Sequence, residues 1–116
     1  MMTYKRGNVV LVLFPHSDLR TAKKRPALVV QADDLQTGLN QIIVAMITSN
    51  LKRLGHPSRH LITLESEAGR QSGLLTDSVV MTDNLVTVFL GAIHSKIGKL
   101  PNMQPVDTAL RVTLGL

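Results

Sequence analysis

The 116-residue sequence predicts a mainly β protein: a small twisted sheet of short, mostly antiparallel strands, curled into a barrel and capped by a C-terminal α-helix. Three observations carry that prediction. β-Branched and aliphatic runs of four to nine residues recur at close intervals, each bounded by polar or Gly/Pro segments. After Pro101 the apolar spacing changes from strand-like to helical. The hydrophobic fraction of 44% suits a packed globular chain, yet no apolar run approaches the roughly twenty residues needed to span a bilayer.

The elements follow in order. "GNVVLVLF" (Gly7 to Phe14) is a continuous strand run closed by Pro15. "PHSDLRTAKKR" (Pro15 to Arg25) is polar and basic, with Ser-Asp turn chemistry, and reads as an exposed loop. "PALVVQ" (Pro26 to Gln31) is the second strand, with its proline at the one position a strand tolerates well. After a ragged stretch from Ala32 to Asn40, "QIIVAMITS" (Gln41 to Ser49) is the most apolar strand and is expected at the centre of the sheet. Asn50 to Arg59 has room for one helical turn, ended by Gly55 and Pro57. "HLITL" (His60 to Leu64) is a short strand and Glu65 to Ser72 a polar loop. Gly73 to Gly91 reads as strand, turn at Thr82 to Asn84, then strand, and "HSKIGKL" (His94 to Leu100) adds a last short one. In "NMQPVDTALRVTLGL", Val106, Ala109, Leu110, Thr113 and Leu114 share one helical face. Pro105 suits the first helical position, and Asp107 suits the positive end of the dipole. The chain is expected to form a single domain over residues 1–116.

Composition narrows the chemistry. Thirteen Lys and Arg against eight Asp and Glu leave a net charge of +5, which favours a polyanionic partner. With no cysteine, disulfide frameworks, cysteine–zinc sites and thiol catalysis are excluded. "MMTYKRGN" lacks a secretory h-region, so a cytoplasmic protein is expected. One Tyr, two Phe and no Trp leave few rings for base stacking, so any nucleic acid would be held mainly by charge and hydrogen bonds.

Most constellations dissolve on inspection. His16, Ser17 and Asp18 are consecutive, and neighbouring side chains on a strand diverge, so "HSD" reads as a polar turn rather than a triad. His56 and His60 have ligand spacing, but Pro57 lies between them and no third ligand is near in sequence. No glycine-rich phosphate loop is present. Asp33 and Asp34 read as loop solvation, while Asp77 stands inside a strand segment and could face a groove. Polar residues at the ends of apolar strands remain. Arg25 precedes Pro26, which biases it toward extended backbone and an aimed side chain. Thr48 and Ser49 end the central strand at the rim. A guanidinium fork and a hydroxyl can grip the same phosphate, although "RP" at a strand start and Thr in a strand are each common for structural reasons alone.

In order along nearly the whole chain, "YKRGNVVLVLFP", "KRPALVVQ", "IIVAMITSN", "SGLLTDSVVMTDNLVTV", "SKIGKL" and "ALRVTLGL" resemble the MazF/PemK-type toxins of type II toxin–antitoxin modules. The resemblance implies an SH3-like barrel with a C-terminal helix, usually a homodimer. It implies a metal-independent endoribonuclease that needs no cofactor and cuts single-stranded RNA, often messenger RNA, at short preferred sequences. It also implies a cognate antitoxin whose acidic, partly disordered tail blocks the RNA groove. The family's catalytic arginine falls on Arg25 and its catalytic threonine on Thr48. Ser17, Lys23, Lys24, Ser49, Asn50 and Asp77 are the expected RNA contacts around them. One departure is that the loop before "RP" reads "SDLRTAKKR" where the family commonly carries a glycine-rich stretch, often with an acidic residue. Two other readings stay open: a non-catalytic toxin of this fold that poisons DNA gyrase, and a nucleic-acid-binding barrel. Lys23 and Lys24 gather the RNA backbone on the ribonuclease reading and merely solvate a loop otherwise.

Overall fold

In the computed structural model, which describes residues 4–15 and 22–116, β-branched runs form an antiparallel sheet of six strands. These are β1 (Asn8–Pro15), β2 (Ala22–Val29), β3 (Gln41–Thr48), β4 (Arg59–Ile62), β5 (Ser78–Phe89) and β6 (Ile93–Lys99). Their spatial order is β4-β5-β3-β2-β1-β6, so β3 is internal, as its unbroken apolar run predicts. The sheet curls without closing: β4 and β6 remain its two edges among the described residues. Two helices accompany it, α1 (Glu67–Ser72) and α2 (Gln104–Leu114), with a 3-10 turn at Leu51–Arg53. No helix of the described residues is long and apolar enough to cross a membrane.

Alternation along the strands sorts the apolar side chains into two cores, one on each face of the sheet. On the first face lie Val10, Val12, Ala27, Val29, Val44 and Met46, with Phe14, Met81 and Val86 packed against them. On the second lie Val9, Leu28, Ala45, Ile47, Ile62 and Val80, joined by Leu100 and by Val106 of α2. The helix is tied down at its first turn, where Asp107 accepts from Arg6, whose Nε donates to the carbonyl of Val30 at 2.9 Å. Val106 and Ala109 are buried as the stripe predicts. Leu114 is exposed instead, and Thr113 turns inward to bond the Thr82 hydroxyl at 2.8 Å. Pro105 stands one residue past the first helical position, which Gln104 takes.

Four segments differ from the sequence expectation. β2 starts at Ala22, so the cationic run is paired strand, not loop. Pairing with β1 supplies hydrogen bonds that a local reading of lysines does not foresee. Glu67–Ser72 is helical: Ser66 caps it by accepting from the Gly69 N–H at 3.0 Å. Gly69 lies so close to strand-side backbone that a Cβ there would meet the Thr63 carbonyl oxygen at 2.0 Å. Residues 73–77 are not strand. Thr82 to Asn84 is not a turn; β5 runs through it with a register shift opposite Ala45 and Met46.

Candidate active site

The rim of the sheet where β2 begins and β3 ends holds the chemistry. β1 and β2 pair with Val12 opposite Arg25, Leu13 opposite Lys24 and Phe14 opposite Lys23. β2 and β3 pair with Ala27 opposite Met46 and Val29 opposite Val44. That ladder ends at Ala27 and Met46, two residues short of Arg25 on β2 and of Thr48 on β3. Both lie two residues from members of the first core, Ala27 and Met46, so both side chains leave the first face of the sheet. A guanidinium and a hydroxyl from positions 23 residues apart in the chain therefore leave the same face and line the same clefts.

The backbone turn that follows β3 orients the hydroxyl. Thr48 Oγ1 accepts the Asn50 N–H at 3.1 Å, which occupies one lone pair and leaves the hydroxyl proton free to donate. The Asn50 side chain in turn accepts the Lys52 N–H at 3.1 Å and starts the 3-10 turn. Arg25 is exposed, and none of the three ion pairs among the described residues involves it.

Two clefts meet at this pair, and Arg25 and Thr48 line both. One, of about 480 Å³, is bounded by Lys23, Lys24 and Ser49 on one side and by Leu74, Leu75 and Ile97 on the other. The other, of about 580 Å³, takes in Asn50, Arg53, Arg59, Asp83 and Asn84 above a floor that includes Phe14, Met46 and Met81. There Arg59 is clamped in place. Its Nη2 donates to Asp83 Oδ2 at 2.7 Å, and its Nη1 donates to the Arg53 carbonyl at 2.9 Å. The Arg59 hydrogen bond holds the Asp83 carboxyl below the usual carboxylate range, and Asp83 in return raises the Arg59 guanidinium. The 3-10 turn is thereby pinned to β5.

Of the expected contacts, Lys23, Lys24, Ser49 and Asn50 stand around Arg25 and Thr48. Ser17 lies outside the described residues, as do His16 and Asp18. Asp77 precedes β5, where its Oδ1 accepts the Leu64 N–H at 2.8 Å, and it lines neither cleft. His56 is engaged locally, with Nδ1 2.8 Å from Ser58 Oγ, and His60 sits half-buried on β4, where burial lowers its pKa. Sequence reasoning missed Phe14, Arg53, Arg59, Asp83 and Asn84. Phe14 reads only as the end of an apolar run, and "TDN" only as a turn. The alternation of β5 across its register shift would have been the one signal for the last two.

Comparison with known proteins bears on the family and the fold. A family model described as PemK-like, MazF-like toxin of type II toxin-antitoxin system matches residues 5–114. The chain is 35% identical over 107 residues to the protein named Endoribonuclease MazF6 of Mycobacterium tuberculosis (strain ATCC 25618 / H37Rv), covering 90% of each. Among solved structures, an endoribonuclease in complex with its cognate antitoxin from a mycobacterial species superposes with a TM-score of 0.77 at 20% identity, over 98% of this chain and 97% of that one. The MazE–MazF complex of Deinococcus radiodurans (Form-III) superposes with a TM-score of 0.75 at 17% identity, over 99% of both. At those identities the structural likeness speaks for the fold.

Proposed function

This chain belongs to the PemK-like, MazF-like toxins of type II toxin–antitoxin systems, and from that membership and the rim geometry we propose that it is an endoribonuclease acting through Arg25 and Thr48. The observation that supports the residue assignment is that Arg25 and Thr48, far apart in sequence, line the same two clefts at the rim of the sheet.

The chemistry asks little of the protein. In RNA the ribose 2′-hydroxyl is already beside the scissile phosphate, so proximity comes from the substrate. Its oxygen attacks phosphorus, the bond to the leaving 5′-oxygen breaks, and the products carry a 2′,3′-cyclic phosphate and a 5′-hydroxyl. One proton leaves the 2′-oxygen and one reaches the 5′-oxygen. The Arg25 guanidinium stabilises charge growing on the phosphoryl oxygens and acts as a hydrogen-bond donor rather than as a base. The Thr48 hydroxyl, with one lone pair taken by the Asn50 N–H, donates to a nonbridging oxygen of the same phosphate. Lys23, Lys24, Ser49 and Asn50 line the approach and contact the RNA on either side.

The substrate is single-stranded RNA, messenger RNA in the cell, cut without a metal ion in the cytoplasm. Residues 1–116 act as one toxin domain, as a homodimer, and a cognate antitoxin with an acidic, partly disordered tail competes for the basic clefts. The test is incubation of the purified protein with RNA in EDTA. Cleavage is expected, with cyclic-phosphate ends, and a single 2′-deoxyribose on the 5′ side of the cut should block it. Efficient cutting of the deoxy substrate would replace the 2′-oxygen by water as nucleophile, and an intact RNA pool would remove the proposal.

A further inference from the structure

The chain has three aromatic residues, Tyr4, Phe14 and Phe89, and one of them stands beside the proposed reacting phosphate. Phe14 follows Val12 by two residues on β1, and Val12 is paired with Arg25. Side chains two apart on a strand share a face, and an aromatic reaches its diagonal neighbour across the ladder. Phe14 is thus the diagonal neighbour of Arg25 on the face that Thr48 also leaves. It is half-buried: one part packs on the first core, which holds the ring in place, while the rest lines the 580 Å³ cleft.

The make-up of that cleft identifies an occupant. Its floor, Phe14 with Met46 and Met81, is apolar; its rim, with Arg25, Thr48 and Asn84, is polar and cationic. A nucleobase is planar, apolar on its faces and polar on its edges, and hangs from a phosphate. An aliphatic ligand would satisfy the floor and leave the rim groups bare, and an acidic peptide would engage the rim and leave the floor uncovered. The second cleft at the same phosphate has apolar walls and a lysine edge but no aromatic side chain among the described residues.

We propose that Phe14 is a base-stacking residue: the cleft beside Arg25 seats the base of one nucleotide flanking the scissile phosphate, with its face on the Phe14 ring. The proposal rests on the ribonuclease reading above and gives it a substrate-positioning element. Base stacking on an aromatic is sequence-tolerant and, by truncation of such rings, contributes about 5- to 150-fold in affinity per base. A fixed base also fixes the ribose attached to it, and with it the line of attack on phosphorus.

The experiment is a cycle between protein and RNA. Wild type, Phe14→Leu and Phe14→Trp are assayed on an RNA that wild type cuts, and on analogues with an abasic residue on each side of the cut in turn. Phe14→Leu should lower kcat/KM by about 5- to 150-fold, mostly through KM, and Phe14→Trp should retain it. At one of the two positions the abasic RNA should cost wild type a similar factor and cost Phe14→Leu little more. Equal cleavage by wild type and Phe14→Leu overturns the proposal, as does wild type cutting both abasic RNAs like the parent. The wild-type abasic series and Phe14→Trp decide the matter even if Phe14→Leu folds poorly. Binding of a 2′-deoxy-blocked RNA with 2-aminopurine at the flanking position gives a readout independent of cutting. Quenching by wild type and Phe14→Trp but not by Phe14→Leu supports stacking, and equal quenching by all three refutes it. RNA cut by both proteins at the same rate sinks the stacking role alone; RNA cut by neither, with quenching intact, sinks the ribonuclease reading alone.

Discussion

Removing the Thr48 hydroxyl is the sharpest perturbation of the shared-phosphate mechanism, because Thr48→Val keeps the β-branched shape. In the resting protein the hydroxyl accepts one hydrogen bond, from Asn50 N–H at 3.1 Å, and Asn50 is exposed. That N–H returns to water in the variant, so the loss of stability is about 1 kcal/mol or less, a fall in Tm of at most about 4–8 °C. In the transition state the same hydroxyl faces a charged oxygen, where a hydrogen bond contributes about 1.5–3 kcal/mol, or roughly 10- to 150-fold in rate. Arg25→Ala removes the main charge-stabilising donor and should cost about 10²–10³. If the two groups hold one phosphate as a unit, Thr48→Val should slow Arg25→Ala by clearly less than the factor by which it slows wild type, so that the double variant falls short of the product of the single effects. The assay is single-turnover cleavage of end-labelled RNA in EDTA, with thermal unfolding measured on each protein. A double variant that loses the full product would mean that the groups act independently. A folded Arg25→Ala protein that cuts at near wild-type rate would remove Arg25 from the chemistry.

Three further outcomes are expected. Replacing both Lys23 and Lys24 by alanine should weaken binding to RNAs of every sequence and flatten the slope of log affinity against log salt by about 1.4, the share of two phosphate contacts on a single strand; an unchanged slope would make them loop solvation. Gly73→Ala should destabilise the fold by about 1–3 kcal/mol or more, read as a lower urea midpoint. Gly73 has φ +74°, and a Cβ there would sit 2.1 Å from the Ile97 carbonyl oxygen, so a variant of parental stability would contradict the close approach of α1's end to β6. Burial lowers the His60 pKa, so as pH falls below about 6.5 the unfolded chain takes up its proton first and stability declines until the folded state's lower pKa is passed. His60→Gln should remove that part of the decline in urea midpoints between pH 8 and pH 5, and an unaltered profile would assign it elsewhere.

Much of the fold is legible in single segments. β1 and β3 announce themselves by runs that only a buried pleated surface accommodates, and α2 by the recurrence of Val106, Ala109 and Leu110 at helical spacing. α1 is not legible, because six residues are too few to show a period; it exists through the Ser66 cap and the fit of Gly69 against Thr63. The strand character of Ala22 to Arg25 is equally hidden, since lysines favour a strand only when a neighbour such as β1 completes the ladder. Asp77 shows the limit most plainly: next to a strand signal its carboxylate could face a groove, and its partner, the Leu64 backbone, lies 13 residues away.

The sequence by itself determined the β class, the cationic run that leads into the apolar part of the second strand, and the candidacy of Arg25 and Thr48 beside apolar runs. Those properties depend on side-chain type and on periods of two or 3.6 residues, which are local. The tertiary structure decided that Arg25 and Thr48 line common clefts, that Phe14 shares their face, and that Arg59 is locked to Asp83. These depend on strand register, and a slip of one residue would send every side chain of a strand to the other face. The long-range pairing that sets register is absent from any stretch of sequence read alone.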